Sequence, residues 1–213
     1  MAESSVSEST VLYAEQGNLA IITLNRPHAL NSFTPQMHHD LWAALDKAEA
    51  NRAIRALVFT GAGASFAMGC DIVIAAPTAS FIQAFSKIGL IPDAGGTWLL
   101  TERLGLARAT ALAMTGDKLG AVQAKEWGMI WEVVQGGAED CLAAAIAMAQ
   151  RLAAMPTVAL VATRHILRDS TTRTFNQQLD VERDTQSMMG KTHDHLEGVR
   201  AFLEKRAPQF KGH

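Results

Sequence analysis

One carboxylate, Asp93, stands in a segment whose composition restricts the backbone on both sides of it. Pro92 precedes it, and the pair Gly95-Gly96 follows two residues later. Proline fixes its own φ angle, whereas glycine permits turns and close approaches that a Cβ atom would forbid. A carboxyl held on such a turn between apolar segments is a candidate general acid and base. The alternative is a surface turn in which the aspartate accepts a hydrogen bond from its own backbone.

The other reactive side chains give weaker signals. His193 and His195 could share a metal ion, but they have no third ligand, and we interpret them as surface residues. Cys70 and Cys141 are too few for a disulfide framework, and neither belongs to a Cys-x-x-Cys motif. The Gly-Ala-Gly turn at residues 61–63 lacks the Lys-Ser/Thr pair of a phosphate-binding loop. These signals therefore give no reason to expect a metal site.

The elements that must position Asp93 alternate early in the chain and become helical later. Apolar patterns predict strands at residues 11–15, 19–24, 55–60 and 71–76. Thr34-Pro35 predicts a helix start, and later helices are expected at residues 138–153, 158–167, 175–189 and 195–205. This order predicts an α/β protein with a disordered lead at 1–9, an α/β core at 10–135 and a helical region at 136–213.

Composition excludes several classes of function. The chain has 213 residues, of which 48% are hydrophobic, so it can form one large domain or one domain with an appendage. Its formal charge of −2 gives no reason to expect a nucleic acid or an anionic membrane as partner. The polar, acidic N-terminus does not resemble a signal peptide. With so few cysteines, we expect a cytoplasmic protein.

Several stretches of the chain resemble the crotonase, or enoyl-CoA hydratase/isomerase, superfamily. They are residues 24–27 with 31–32, 60–63, 70–76, 84–98, 124–131 and 197–206. They extend over nearly the whole chain in order, and Pro-Asp-x-Gly-Gly-Thr-Trp at 92–98 is specific to an isomerase-like subgroup. The resemblance implies a crotonase-like ββα spiral with a helical C-terminal trimerisation region.

The resemblance also implies the isomerisation of a CoA thioester, in which Asp93 transfers a proton while backbone amides hold the enolate. Related hydratases have a glutamate two residues after the glutamine that Gln83 matches, whereas this chain has Phe85. Water addition needs two carboxylates, but proton transfer within one substrate needs only one. The implied reaction converts ring-1,2-epoxyphenylacetyl-CoA to oxepin-CoA, and a double-bond shift in an unsaturated acyl-CoA is a related activity. An enoyl-CoA hydratase is the alternative.

Two groups of residues match CoA-binding positions of the family. Arg26, Ala29 and Leu30 match the loop that lies along the CoA nucleotide, although this loop could equally be the end of a strand. Phe202 and Lys205 match residues that reach the CoA adenosine of a neighbouring subunit, although an exposed lysine is common on any surface helix. The resemblance thus implies an acyl-CoA substrate and a homotrimer or dimer of trimers, with an association with a related hydratase left open. CoA would be part of the substrate, not a cofactor.

The chain departs from the family between Phe66 and Asp71. Roughly fifty to sixty residues of the family, including one core strand and a helix, have no counterpart here. Two similar motifs of the family flank this gap, and residues 66–71 match both of them, as if the first motif had been joined to the second. A partial sequence, a genuine deletion or a repacked chain would each explain the departure.

An incomplete oxyanion hole would follow from such a deletion. Crotonase-type enzymes hold the thioester oxygen with two backbone N–H groups, and losing one donor of this kind costs about 2.7–4 kcal/mol of transition-state stabilisation. The resemblance assigns one donor to Met68 and provides no counterpart for the other, which comes from a Gly-Ala-Gly turn. A non-catalytic paralogue or subunit that keeps CoA binding is therefore a second interpretation.

Overall fold

The structure, a computed structural model, describes residues 9–61 and 63–213. Except for Ser9, the predicted disordered lead lies outside these residues. Contacts divide the chain into two units, of which the second comprises residues 17–19, 53–56 and 148–213 and the first comprises the rest. The boundary between the two units falls at 147/148, inside the helix Ala138–Ala153, and therefore lies later in the chain than the predicted boundary at 135/136.

Three strands form the first sheet. Their order is β1 (Val11–Gln16), β2 (Leu19–Leu24) and β3 (Ala56–Thr60), as the apolar patterns predict. Helix α1 (Pro35–Ala50) begins at the predicted position, and the Thr34 side chain accepts a hydrogen bond from the Met37 N–H group at its N-terminus. Apolar residues of β1, β2 and α1 form one buried cluster, which contains Val11, Ile22, Leu24, Met37, Leu41 and Ala44.

Two short strand pairs follow the first sheet along the chain. After helix α2 (Ala64–Gly69), the strands are β4 (Ile74–Ala75), β5 (Ser80–Ile82), β6 (Lys118–Gly120) and β7 (Glu132–Val133). β4 pairs in parallel with β7, and β5 pairs antiparallel with β6. The predicted strand at 71–76 is therefore reduced to two residues. β6 was not predicted, because the glycines at 116 and 120 indicate helix ends.

Helix α3 (Gly96–Thr115) starts directly after the Asp93 turn. It is bent at Gly105, whose φ of 74° and ψ of 162° are not helical. Helix α4 (Ala121–Glu126) follows β6. The side chains that α2, α3, α4 and their neighbouring strands bury form a second apolar cluster, whose fully buried large members are Met68, Leu100, Leu119 and Met129.

Four helices occupy the rest of the chain. They are α5 (Ala138–Ala153), α6 (Thr157–Asp169), α7 (Phe175–Met189) and α8 (His193–Glu204), within a few residues of the predicted positions. Among the described residues no single helix has the length and apolar character to cross a membrane; only α5 taken together with the bent continuation 157–172 meets both requirements.

The segment after α8 folds back onto that helix through two buried acids. The Asp194 carboxylate accepts hydrogen bonds of 2.7 Å from the N–H groups of Lys211 and Gly212. The Glu197 carboxylate accepts two bonds, of 2.6 and 2.9 Å, from the Arg206 guanidinium. A bidentate pair of this kind fixes the angle between donor and acceptor as well as their distance.

Candidate active site at the Asp93 turn

Asp93 lies on a tight turn whose conformation its neighbours impose. Ala94 and Gly95 both have left-handed backbone angles, with φ of 50° and 76°. The Asp93 carbonyl accepts a hydrogen bond of 2.7 Å from the Gly96 N–H group, which opens α3. The Asp93 side chain is exposed. The predicted rigid turn is therefore present, with its carboxylate on the surface of the described chain.

Helix α2 packs against the back of this turn. A Cβ atom on Gly96 would stand 2.8 Å from the Ser65 hydroxyl oxygen and 3.3 Å from the Pro92 Cβ. Contacts under 3.0 Å are too short for carbon and oxygen atoms that are not bonded to each other, so only glycine fits at position 96 without a shift of its neighbours. This close approach fixes the position of the Asp93 turn relative to α2.

Gln83 lies near this turn and is the only residue in the described part of the chain whose buried side chain is polar and uncharged. It is 3% exposed, and its Oε1 accepts a long hydrogen bond of 3.4 Å from the Ser65 hydroxyl. Its Nε2 is buried without any hydrogen-bond partner in the described part of the chain. The sequence alone identified Gln83 as a landmark of the family and gave no sign of this burial.

Apolar side chains flank the Asp93 turn and remain exposed. The exposed fractions are 72% for Ile88, 59% for Leu90, 79% for Ile91 and 56% for Trp98. Exposed apolar groups that adjoin one another mark surfaces that bind a ligand or another chain. Two cavities lie elsewhere, one of about 500 Å³ among α6, α7 and α8 and one of about 430 Å³ between α3 and α4. Asp93 lines neither of them.

Met68 lies in a position that does not favour its predicted role. It is the fifth of the six residues of α2 and is 1% exposed. At that position an N–H group donates to the carbonyl four residues earlier, so only the first-turn amides of α2, at residues 64–66, lack a partner within the helix. The assignment of Met68 as a donor to the thioester oxygen stays a prediction, and its place in the helix argues against it.

A guanidinium that the sequence did not indicate holds the end of α2. Arg103 of α3 donates to the carbonyls of Met68 at 2.7 Å, Cys70 at 2.8 Å and Met129 at 3.0 Å. The last carbonyls of a helix have no partner within it, and a cation there also interacts favourably with the helix dipole. Arg103 therefore closes the C-terminus of α2, at the place where the chain departs from the family pattern.

The predicted CoA-binding residues belong to different units of the chain. Arg26, Ala29 and Leu30 lie at the short 3₁₀ helix Pro27–Ala29, where Leu30 is 91% exposed. In the second unit Phe202 is 83% exposed, and Lys205 ends α8 with a φ of 53°. All of them lie in loops or at surfaces that a ligand can reach. Their role in CoA binding stays a prediction.

The histidines and cysteines form no metal site among the residues that the structure describes. No three metal-ligating side chains come together there. The ring of His193 contacts the Asp194 carboxylate at 3.2 Å. Burial raises the pKa of the Cys141 thiol, which makes that group less reactive.

The sequence model of enoyl-CoA hydratase/isomerase matches residues 14–69 and again residues 60–213. The chain belongs to this family. It is 38% identical to 1,2-epoxyphenylacetyl-CoA isomerase of Escherichia coli K12, with 96% of this chain and 99% of the relative covered. It is 34% identical to a probable enoyl-CoA hydratase of Rhodobacter capsulatus, with 97% and 100% covered.

Solved structures share the crotonase fold of this chain. An enoyl-CoA hydratase from Polaromonas sp. JS666 superposes with a TM-score of 0.88 at 28% identity, covering 94% of this chain and 99% of that one. An enoyl-CoA hydratase subunit from Geobacillus kaustophilus HTA426 gives a TM-score of 0.89 at 25% identity, covering 96% and 98%. The predicted crotonase-like α/β class is thereby confirmed.

The same comparisons locate the missing segment. The alignment with the E. coli isomerase spans 262 positions, whereas this chain has 213 residues, so at least 49 aligned positions (262 − 213) have no residue here. The two family matches overlap at residues 60–69, so this stretch fits both sides of the gap. Residues 61–63 lie within both matches, and the expected absence of the second oxyanion-hole donor stays a prediction.

Proposed function

We propose that the protein isomerises a CoA thioester, with Asp93 as the acid and base that moves a proton within the acyl group. The observation that carries this proposal is the exposed carboxylate on the turn held by Pro92 and Gly96, in a chain of the enoyl-CoA hydratase/isomerase family. The preferred substrate is ring-1,2-epoxyphenylacetyl-CoA, in keeping with the name of the E. coli relative.

The surroundings of Asp93 support isomerisation over hydration. Phe85 stands where related hydratases have a glutamate, so the chain has no carboxylate at that position to activate water. The exposed side chains of Ile88, Leu90, Ile91 and Trp98 offer an apolar bed for an acyl group beside the acid. A bound acyl group would cover this surface and exclude water from the carboxylate.

Substitution of Asp93 by asparagine tests the proposal. The amide keeps the size of the side chain but takes up no proton, so we expect turnover of ring-1,2-epoxyphenylacetyl-CoA to fall by roughly 10²–10⁴-fold. The matched control is Asp46→Asn, a change of an exposed aspartate on α1, which should keep full activity. Equal turnover of wild type and Asp93→Asn would exclude the proposal. Hydration of crotonyl-CoA to its 3-hydroxy product would indicate a hydratase instead.

A non-catalytic CoA-binding subunit is the second candidate. It is favoured by the 49 or more missing positions (262 − 213) and by an Asp93 that lines neither described cavity. This candidate predicts acyl-CoA binding by calorimetry without turnover above the Asp93→Asn variant. Measurable wild-type turnover that this variant lacks would exclude it.

We also propose that copies of the chain assemble as a homotrimer or dimer of trimers. In such an assembly Phe202 and Lys205 of one copy would reach CoA bound along Arg26, Ala29 and Leu30 of another. Phe202, Leu203 and Val199 expose an apolar strip of α8 that is available for such contacts. Light scattering of the purified protein measures the mass, and a monomer at assay concentration would contradict this assembly.

A further inference from the structure

The amide nitrogen of Gln83 is a buried hydrogen-bond donor that has no acceptor among the described residues. Its Nε2 is fully buried, and only its Oε1 has a partner, the Ser65 hydroxyl at 3.4 Å. Exchanging the two ends of the amide would satisfy the nitrogen and leave the oxygen without a partner, since the Ser65 hydroxyl is the only hydrogen-bond partner of the amide among the described residues. Native proteins retain few unsatisfied buried polar groups, because each one lowers the stability of the fold. Such a group therefore calls for a functional explanation.

This donor lies behind the Asp93 turn. Ser65, which holds the Gln83 amide, approaches Gly96 so closely that a Cβ atom there would be 2.8 Å from the hydroxyl. Gly96 in turn donates its N–H group to the Asp93 carbonyl. The Gln83 amide, the Ser65 hydroxyl and the backbone of the Asp93 turn thus follow one another in the first unit.

We propose that Gln83, oriented by Ser65, is a specificity-determining residue that recognises an acceptor oxygen on the acyl group, such as an epoxide or hydroxyl oxygen. This inference rests on the proposed function, because it requires an acyl group bound at Asp93. The last torsion of a glutamine side chain is broad, so a small rotation re-aims the N–H group towards a ligand. An unsaturated hydrocarbon chain offers no acceptor and would leave the donor unsatisfied in the complex.

A pair of CoA thioesters that differ by one oxygen tests this recognition. Isothermal titration calorimetry would measure the dissociation constants of phenylacetyl-CoA and of 2-hydroxyphenylacetyl-CoA. We expect wild type to bind the hydroxylated ligand about tenfold more tightly, the effect of one hydrogen bond. In Gln83→Met, which keeps the side-chain volume but has no donor, the ratio of the two constants should fall to about one.

Two further variants and one stability measurement complete the test. Gln123→Met makes the same chemical change at an exposed position of α4 and should keep the wild-type ratio. Ser65→Ala removes the hydroxyl that orients the amide and should give an intermediate ratio, which keeps the test valid should Gln83→Met not fold. Gln83→Met should also raise the thermal midpoint, because it removes an unsatisfied buried donor.

The outcomes separate this inference from the proposed function. A wild-type ratio near one, or a tenfold ratio that persists in Gln83→Met, would overturn the role of Gln83 while leaving Asp93 as the acid and base. Failure of wild type to bind either thioester would overturn both. A tenfold ratio that is lost in Gln83→Met supports the inference, whichever isomerisation Asp93 performs.

Discussion

The contact between Gly96 and Ser65 sets the geometry of the candidate site at the level of single atoms. Glycine is required at position 96 because a side chain would meet the Ser65 hydroxyl and Pro92. Its neighbour Gly95 is needed for a different reason, since its φ of 76° is unfavourable for residues with a Cβ atom. Two adjacent glycines thus serve two purposes, one of close packing and one of backbone conformation.

Gly96→Ala should therefore destabilise the protein and weaken its activity. Overpacking of a buried contact costs about 1–3 kcal/mol, and relief of the clash would displace the Asp93 turn from α2. The matched control is Gly69→Ala in α2, where an added Cβ meets nothing within 4 Å. Urea unfolding of both variants gives the free energies of unfolding. An unchanged midpoint for Gly96→Ala would mean that α2 and the turn are not packed as described.

Helix α2 is too short to be stable by itself, so its stability must come from packing and end contacts. It has six residues, about half the length at which isolated helices become even marginal in water. Its start packs on the Asp93 turn through Ser65, and its end is closed by Arg103. Both contacts come from α3 or the turn before it, so α3 is the element that positions α2.

Arg103→Lys should loosen this attachment. Lysine keeps the charge but presents one compact donor group, which does not span the carbonyls of Met68, Cys70 and Met129 together. Since bonds from charged groups contribute about 1.5–3 kcal/mol, we expect a loss of roughly 2–3 kcal/mol in the free energy of unfolding.

The control for this prediction lies on the same helix. Arg108 stacks over the Trp127 ring at 4.7 Å, and Arg108→Lys should cost less than about 1 kcal/mol. Hydrogen exchange would show in addition that amides of α2 lose protection in Arg103→Lys. Equal stability of the two variants would show that the carbonyl contacts of Arg103 contribute little.

At the scale of the whole molecule, the acids that hold the C-terminal segment make stability depend on pH. Hydrogen bonds from Arg206 and from the Gln209 N–H group hold the pKa of Glu197 at about 2, below its ordinary 4.5. Burial raises the pKa of Asp194, but the N–H groups of Lys211 and Gly212 outweigh burial and leave it lowered. Both groups therefore stabilise the fold in their charged forms.

Glu197→Gln should remove part of this dependence. Because the folded pKa is depressed, the contribution of Glu197 is fully present above about pH 4.5 and is lost as the pH falls towards about 2. The thermal midpoints of wild type and Glu197→Gln should differ at neutral pH and converge in that acidic range. Glu182→Gln, an exposed change on α7, is the control and should show no such convergence. A constant difference between wild type and Glu197→Gln at all pH values would contradict this account.

Most of the helices and of the first sheet could be predicted, because their signals are local. Thr34-Pro35 indicates the start of α1, and Pro156 separates α5 from α6. The short strands were harder, since β4 and β6 have only two or three residues and take their conformation from the strands with which they pair. Such pairing depends on residues far away in the sequence, which periodicity does not report.

The sequence by itself determined the family, the place of the gap and the acid on its turn, because motif order and backbone restriction are properties of neighbouring residues. Only the tertiary structure decided that Met68 lies inside a helix, that Arg103 closes that helix and that Gln83 is buried with an unused donor. These features depend on how helices and strands meet in space. Packing joins residues that lie 18 to 35 positions apart in the chain, and no local pattern specifies such contacts.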